Sequence, residues 1–133
     1  MDQHQVGVSV LVRVEVATAL ARRVREGSVT TEQRDLIVAT FLADLARFVH
    51  VEVDADVVRS ASDLALAADD DAPLRAIDAV HLASALHLAE RARAQGISLS
   101  RFVTSDRQLR RAAERAGLPV LDPTVPPNEQ EPG

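Results

Sequence analysis

The sequence lacks several residue types, and each absence removes a class of function. There is no Cys, which excludes disulfides and thiolate-ligated zinc sites. There is no Trp or Tyr and there are only three Phe, which argues against a surface that stacks nucleic-acid bases on aromatic rings. No apolar run reaches the roughly 20 residues of a membrane span, and the start MDQHQ lacks the basic and apolar parts of a signal peptide. We therefore expect a cytoplasmic protein with no membrane segment.

The charge and length set further limits. The net charge of −5 gives no global basic field that would attract nucleic acid, although local clusters of arginine remain available. A chain of 133 residues with 47% hydrophobic residues favours a single domain with one core. The composition shifts at the end to Pro, Asn, Glu and Gly. We predict one domain over residues 1–123 and a disordered, Pro-rich tail over residues 124–133.

The apolar periodicity predicts helices alternating with short strands. Helical spacing covers residues 10–26, 31–48, 74–95 and 106–116, with a further helix after Asp54 or Asp56. The predicted helix caps are Ser9, Thr30 with Gln33, and Ser105 or Asp106, while Gly27 is a predicted stop. Strict alternation predicts a strand at residues 49–53, and shorter strands follow at 101–104 and 118–121. The β-branched residues at the start of the first predicted helix fit a strand equally well. The pattern indicates a small α/β domain with a parallel sheet, whose functional residues lie where strands end and helices begin.

Asp78 is the most informative acid, because it lies within a mostly apolar helix near its N-terminus. The helix dipole favours a carboxylate there, but a carboxylate on a mostly apolar helix also needs a partner. A metal ion is one candidate. A salt bridge to Arg75 or a hydrogen bond to His81 explains Asp78 about equally well.

Three other residues have simpler explanations when each is taken alone. Glu15 fits a solvated helix acid paired with Arg22 or Arg23. Asp106 fits an N-cap. Thr104 fits a strand residue, although its hydroxyl is also suited to support a metal-bound carboxylate or water. Taken together, carboxylates with no Cys suit Mg²⁺ or Mn²⁺, ions that activate water and stabilise phosphodiester displacement.

Three segments carry a family resemblance. Residues 9–17 (SVLVRVEVA), 74–86 (LRAIDAVHLASAL) and 102–109 (FVTSDRQL) resemble successive motifs of PIN-domain proteins, and most closely those of the VapC-type toxins of bacterial toxin–antitoxin pairs. The closing residues 117–123 (GLPVLDP) are similar to that family's usual end. The resemblance implies a three-layer PIN-like α/β fold with a short parallel sheet flanked by helices.

The resemblance also implies a site and partners. Glu15, Asp78 and Asp106 would be catalytic acids that bind Mg²⁺ or Mn²⁺, with Thr104 as a supporting hydroxyl. The implied activity is endonucleolytic cleavage of RNA. The implied partners are a second copy of the chain, forming a homodimer, and a cognate antitoxin that occupies the active-site groove.

One departure from the family pattern affects activity. Family members begin with a strand that carries an Asp followed by Thr or Ser. If residues 8–12 are aligned with that strand, Gly7 stands where the Asp belongs. We therefore expect the N-terminal strand to be missing or degenerate, and metal binding to be weaker with one carboxylate fewer.

Three functional hypotheses follow. The first is a metal-dependent ribonuclease of the PIN type. The second is a catalytically inactive or truncated PIN-like protein that acts only by binding an antitoxin or its own copy. The third assigns Arg75 and His81 as the R-x₅-H pair of a metal-independent, all-helical ribonuclease resembling HEPN proteins. The strand predicted at residues 49–53 argues against that all-helical fold.

Overall fold

Short strands alternate with helices along the chain, as the periodicity predicts. The computed structural model describes residues 7–70, 73–97, 102–104 and 106–124. The elements among these residues are β1 (Gly7–Ser9), α1 (Val12–Arg25), α2 (Thr31–Leu45), β2 (Val49–Val51), α3 (Ala55–Ala67), α4 (Ala76–Ala94), β3 (Phe102–Val103), α5 (Arg107–Arg115) and β4 (Val120–Leu121). They fall into two compact units, Met1–Val51 and Glu52–Gly133.

The first unit is built on one pair of parallel strands. In that pair, β1 lies beside β2 with Gly7 opposite Val49 and Ser9 opposite Val51. The pairing extends one residue further, because the Val10 N–H donates to the Val51 carbonyl at 3.2 Å. Helices α1 and α2 pack against each other within this unit.

Of the two N-caps predicted in the first unit, one is wrong and one is confirmed. Ser9 does not cap α1, whose N-cap residue is Leu11 with no side-chain bond. Ser9 is instead a buried residue of β1, and its Oγ accepts the Leu11 N–H at 3.2 Å in the turn that follows. The capping box of Thr30 and Gln33 is confirmed, since each side chain accepts the other residue's backbone N–H.

The second unit encloses its own hydrophobic core. Helices α3 and α4 pack along each other, and Leu82 of α4 is fully buried. Leu82 forms one cluster with Leu109 and Ala113 of α5 and with Leu118. Strands β3 and β4 are parallel, with Phe102 opposite Val120. Burial of this kind is the dominant favourable term in folding.

The predicted α/β class with parallel strands is confirmed, with one difference in sheet organisation. The strands of the described residues form two separate pairs, β1 with β2 and β3 with β4. These strands contradict the all-helical alternative. The strand predicted at residues 49–53 ends at Val51, because its partner β1 ends at Ser9, opposite Val51. Asp54 then caps α3 by accepting the Val57 N–H. Within the described ranges, no helix is long and apolar enough to span a membrane.

Two predictions concern residues that the structure does not describe. The predicted tail over residues 124–133 lies outside the described residues except for Thr124. The expected loss of an Asp-bearing first strand also stays a prediction, because β1 begins at Gly7 and residues 1–6 are outside the described ranges.

Candidate active site

Asp78 lies in the first turn of α4 and pairs with an arginine one turn before it. Its side chain is 16% exposed, and its Oδ2 lies 3.4 Å from Arg75 Nε. Arg75 is the N-cap residue of α4. Its guanidinium has only N–H donors, so it pairs with carboxylates and not with the free N–H groups of the helix N-terminus. The ion pair with Arg75, which the sequence offered as one explanation of Asp78, is confirmed.

Asp106 uses its two carboxylate oxygens for different contacts. Oδ1 accepts the Leu109 N–H at 2.9 Å and so caps α5, as predicted. Oδ2 lies 3.8 Å from Arg75 Nη2. One side chain is therefore able to cap α5 through Oδ1 and to face a cation through Oδ2 at the same time.

Thr104 holds Asp106 at the end of β3. The Asp106 N–H donates to Thr104 Oγ1 at 3.1 Å. The Thr104 N–H in turn donates to the Leu121 carbonyl of β4 at 3.0 Å. A side-chain oxygen two residues before an N-cap fixes the turn between strand and helix, so Thr104 orients Asp106.

The second unit thus brings together three of the four predicted residues. Asp78 and Asp106 converge on one guanidinium, that of Arg75, and Thr104 supports Asp106. Sequence reasoning identified the pairing of Arg75 with Asp78 from their spacing. It missed the pairing of Arg75 with Asp106, for which no local sequence signal exists because the two residues are 31 positions apart in the printed sequence.

Glu15 belongs to the first unit. It is a half-buried residue in the first turn of α1. Its participation in a shared site stays a prediction.

Asp122 is a further acid at the edge of the second sheet, and the sequence analysis did not assign it. It follows β4, as Thr104 follows the neighbouring parallel strand β3. The Thr124 hydroxyl and N–H donate to its Oδ1 at 2.6 and 2.8 Å. These hydrogen bonds, aided by the charge of Arg110, hold the pKa of Asp122 below its ordinary value. Its position immediately after a strand was the sequence signal available.

The donor set fits a hard divalent cation but is incomplete. Two carboxylates that already face one positive charge are the oxygen donors that Mg²⁺ and Mn²⁺ prefer. In the part of the chain that the structure describes, however, no group of three or more His, Asp or Glu side chains is placed to hold a metal ion. A cation at Asp78 and Asp106 would therefore need further ligands from water, substrate or another part of the protein.

The sequence also matches the model of a known protein family. The family model described as "PIN domain" matches residues 1–115. The chain belongs to the PIN domain family. PIN domains are generally nucleases that use divalent metal ions, and RNA is the substrate that the family suggests. No curated protein matches this PIN domain significantly in sequence.

Proposed function

We propose that this PIN domain is a VapC-type toxin, a Mg²⁺- or Mn²⁺-dependent endoribonuclease of a toxin–antitoxin pair. Asp78, Asp106 and Glu15 are its metal-binding acids, and Thr104 is the supporting hydroxyl. The observation that carries the proposal is the convergence of the Asp78 and Asp106 carboxylates on one positive charge. Family membership supports the nuclease chemistry. The segments of residues 9–17, 74–86 and 102–109 support the VapC subtype by resemblance.

The protein groups have distinct tasks in this proposal. Asp78 lies at the N-terminus of α4 and Asp106 at the N-terminus of α5, and the Asp78 carboxylate and Asp106 Oδ2 would hold the cation. A divalent cation bound there supplies water activation and neutralises the charge that develops on the phosphodiester. Thr104 fixes the backbone of Asp106, while capping of α5 by Oδ1 fixes its side chain.

RNA binding by an acidic protein requires local positive charge. Helix α5 carries four of the arginines on nine residues: Arg107, Arg110, Arg111 and Arg115. Arginine recognises phosphate through its planar fork of N–H donors. We assign the binding of the RNA phosphate backbone to this helix, whose N-cap residue is the candidate metal ligand Asp106. A strong dependence of RNA binding on salt follows from such contacts.

The first unit offers apolar surface for the proposed protein partners. Leu36 is 69% exposed and Ile37 is 41% exposed, both on α2, and Val14 of α1 is also exposed. Exposed apolar side chains grouped on a helix favour association with another chain. We assign this surface to the cognate antitoxin or to the second copy in a homodimer, acting in the cytoplasm.

A catalytically inactive PIN-like protein is the second candidate. It is favoured by the small donor set, since the described residues contain no group of three potential ligands, and by Gly7 at the position aligned with the family's first Asp. Such a protein would act only through an antitoxin or its own copy.

Cleavage of an RNA oligonucleotide in Mn²⁺ separates the two candidates. Wild-type protein, Asp78→Asn and Asp56→Asn are compared at equal concentration. Asp56 is a matched control, because it is an acid in the first turn of α3 that also pairs with an arginine three residues away, Arg59, at 3.5 Å. The enzyme proposal predicts at least about a hundredfold loss in Asp78→Asn only. Equal background cleavage in all three proteins supports the inactive candidate.

A further inference from the structure

Arg75 takes the place of a cation between the two candidate metal-binding acids. Its Nε lies 3.4 Å from Asp78 Oδ2, and its Nη2 lies 3.8 Å from Asp106 Oδ2. Two carboxylates that face the same space repel each other, and a positive charge between them offsets that repulsion. The metal-free protein therefore carries its own counter-ion at the site.

The two carboxylates hold the Arg75 guanidinium only loosely. Both distances exceed the roughly 2.7–2.9 Å of a charge-assisted hydrogen bond. The Arg75 side chain is 78% exposed. A tight pair exists in the same unit for comparison, since Arg115 Nη2 lies 2.6 Å from Asp69 Oδ2. Because the exposed guanidinium remains accessible to water and neither contact is a close hydrogen bond, Arg75 is able to leave its carboxylates at small cost.

Departure of Arg75 requires no unfolding of α4. The helix starts through backbone contacts, with the Ala79 N–H donating to the Arg75 carbonyl at 2.9 Å. The guanidinium, which has only N–H donors, takes no part in capping the helix N-terminus. The guanidinium is thus free to swing into solvent while the backbone that positions Asp78 stays in place.

We propose that Arg75 is an internal competitor of the divalent metal at Asp78 and Asp106. It offsets part of the negative charge of the two acids in the metal-free protein, and a metal ion binds only by displacing it. The inference rests on the proposed function, because it assumes that Asp78 and Asp106 bind a metal. It adds that the chain itself lowers its metal affinity and so raises the metal concentration that it requires.

Calorimetric titration with Mn²⁺ alone, without RNA, tests this competition. Wild type is compared with Arg75→Gln and Arg93→Gln. Arg93 is the matched control, because it lies on the same helix, pairs with Glu90 three residues away and has a 77% exposed side chain. Circular dichroism confirms that all three proteins are folded.

The expected result is a Kd for Mn²⁺ about fivefold lower in Arg75→Gln, the equivalent of losing a competing ion pair of about 1 kcal/mol. Arg93→Gln should stay within about twofold of wild type, which excludes a general effect of net charge. Unchanged or weaker binding in Arg75→Gln, with binding retained in wild type, overturns the inference and leaves the proposed function standing. Absence of Mn²⁺ binding in both proteins overturns the proposed metal site and the inference with it.

Discussion

The two units of the chain bury their apolar residues to different extents. In the first unit, the described hydrophobic residues that are buried are Leu45 and Val51. The second unit buries eight described hydrophobic residues: Val57, Ala61, Ala79, Leu82, Ala83, Leu109, Ala113 and Leu118. Both units also expose some large apolar side chains, such as Leu36 in the first and Leu66 in the second. The difference between them is therefore in the number of buried hydrophobic residues that form each core.

This difference shows how the second unit positions its acids. Leu82 and Leu109 belong to one buried cluster, so α4 and α5 are fixed to each other. Asp78 lies four residues before Leu82, about one helical turn, and Asp106 lies three residues before Leu109. The core thus holds the N-termini of both helices, and with them the two carboxylates that face Arg75.

The largest effect that tests this comparison is the loss of Leu82. Leu82→Ala should lower the free energy of unfolding by about 3 kcal/mol, because it leaves a cavity at a fully buried position. Leu36→Ala in the first unit should change it by less than about 0.5 kcal/mol, because that side chain is largely exposed. Urea denaturation followed by circular dichroism measures both. Similar losses in the two variants would contradict the comparison of the units.

The second effect separates the two tasks of Asp106. Asp106→Ala should cost about 1 kcal/mol of stability, since it removes the cap of α5, whereas Asp106→Asn should cost only a few tenths because Asn caps equally well. Both variants should bind Mn²⁺ less tightly, because both lack the carboxylate charge. Denaturation and Mn²⁺ titration of the two proteins check the prediction. Undiminished Mn²⁺ binding by Asp106→Asn would restrict Asp106 to a capping role.

A cap in the first unit provides the corresponding test there. Thr30→Ala should lower the free energy of unfolding by about 1 kcal/mol, because it removes one half of the capping box with Gln33. It should leave the affinity for Mn²⁺ unchanged. The same denaturation and titration experiments apply. A large change in Mn²⁺ affinity would show that α2 influences the metal-binding acids.

The smallest expected effect concerns Asp122. Thr124→Val removes the hydroxyl that donates to its carboxylate, so the pKa of Asp122 should rise toward its ordinary value. Because the folded pKa lies below the ordinary value near 3.8, this carboxylate stabilises the fold above that pH, and the stabilisation is lost as the pH falls through the folded pKa. Thr124→Val should weaken that pH dependence. Carboxyl ¹³C NMR titration measures the pKa, and an unchanged value would rule out control by the Thr124 hydroxyl.

Local patterns predicted much of the fold. The capping box at Thr30 and the cap at Asp106 were predictable from the sequence, because each depends on residues three positions apart. Gly27 was readable as a stop, and it follows the C-cap residue Glu26 with a φ of +79°, a conformation that glycine adopts without strain. Ser9 was misread, because a serine before an apolar run suits a cap and a strand end equally well. Ser9 lies in a strand because it pairs opposite Val51, and that pairing is a tertiary contact that no local pattern contains.

The candidate site was predictable only in part for the same reason. The spacing of Arg75 and Asp78 on one helix suggested their ion pair. The approach of Arg75 to Asp106 depends on how α4 and α5 pack through Leu82 and Leu109, which no local pattern contains. The roles of Glu15, Asp78, Asp106 and Thr104 in metal binding stay predictions.

Calorimetric titration of the wild-type protein with Mn²⁺, with Asp78→Asn as the control, tests the central claim most directly. The account predicts saturable binding by wild type and its loss in a folded Asp78→Asn, because removing one of two convergent carboxylates removes half of the described donor set. Absence of Mn²⁺ binding by folded wild-type protein, or equal binding by both proteins, would contradict the claim that Asp78 and Asp106 form a metal site.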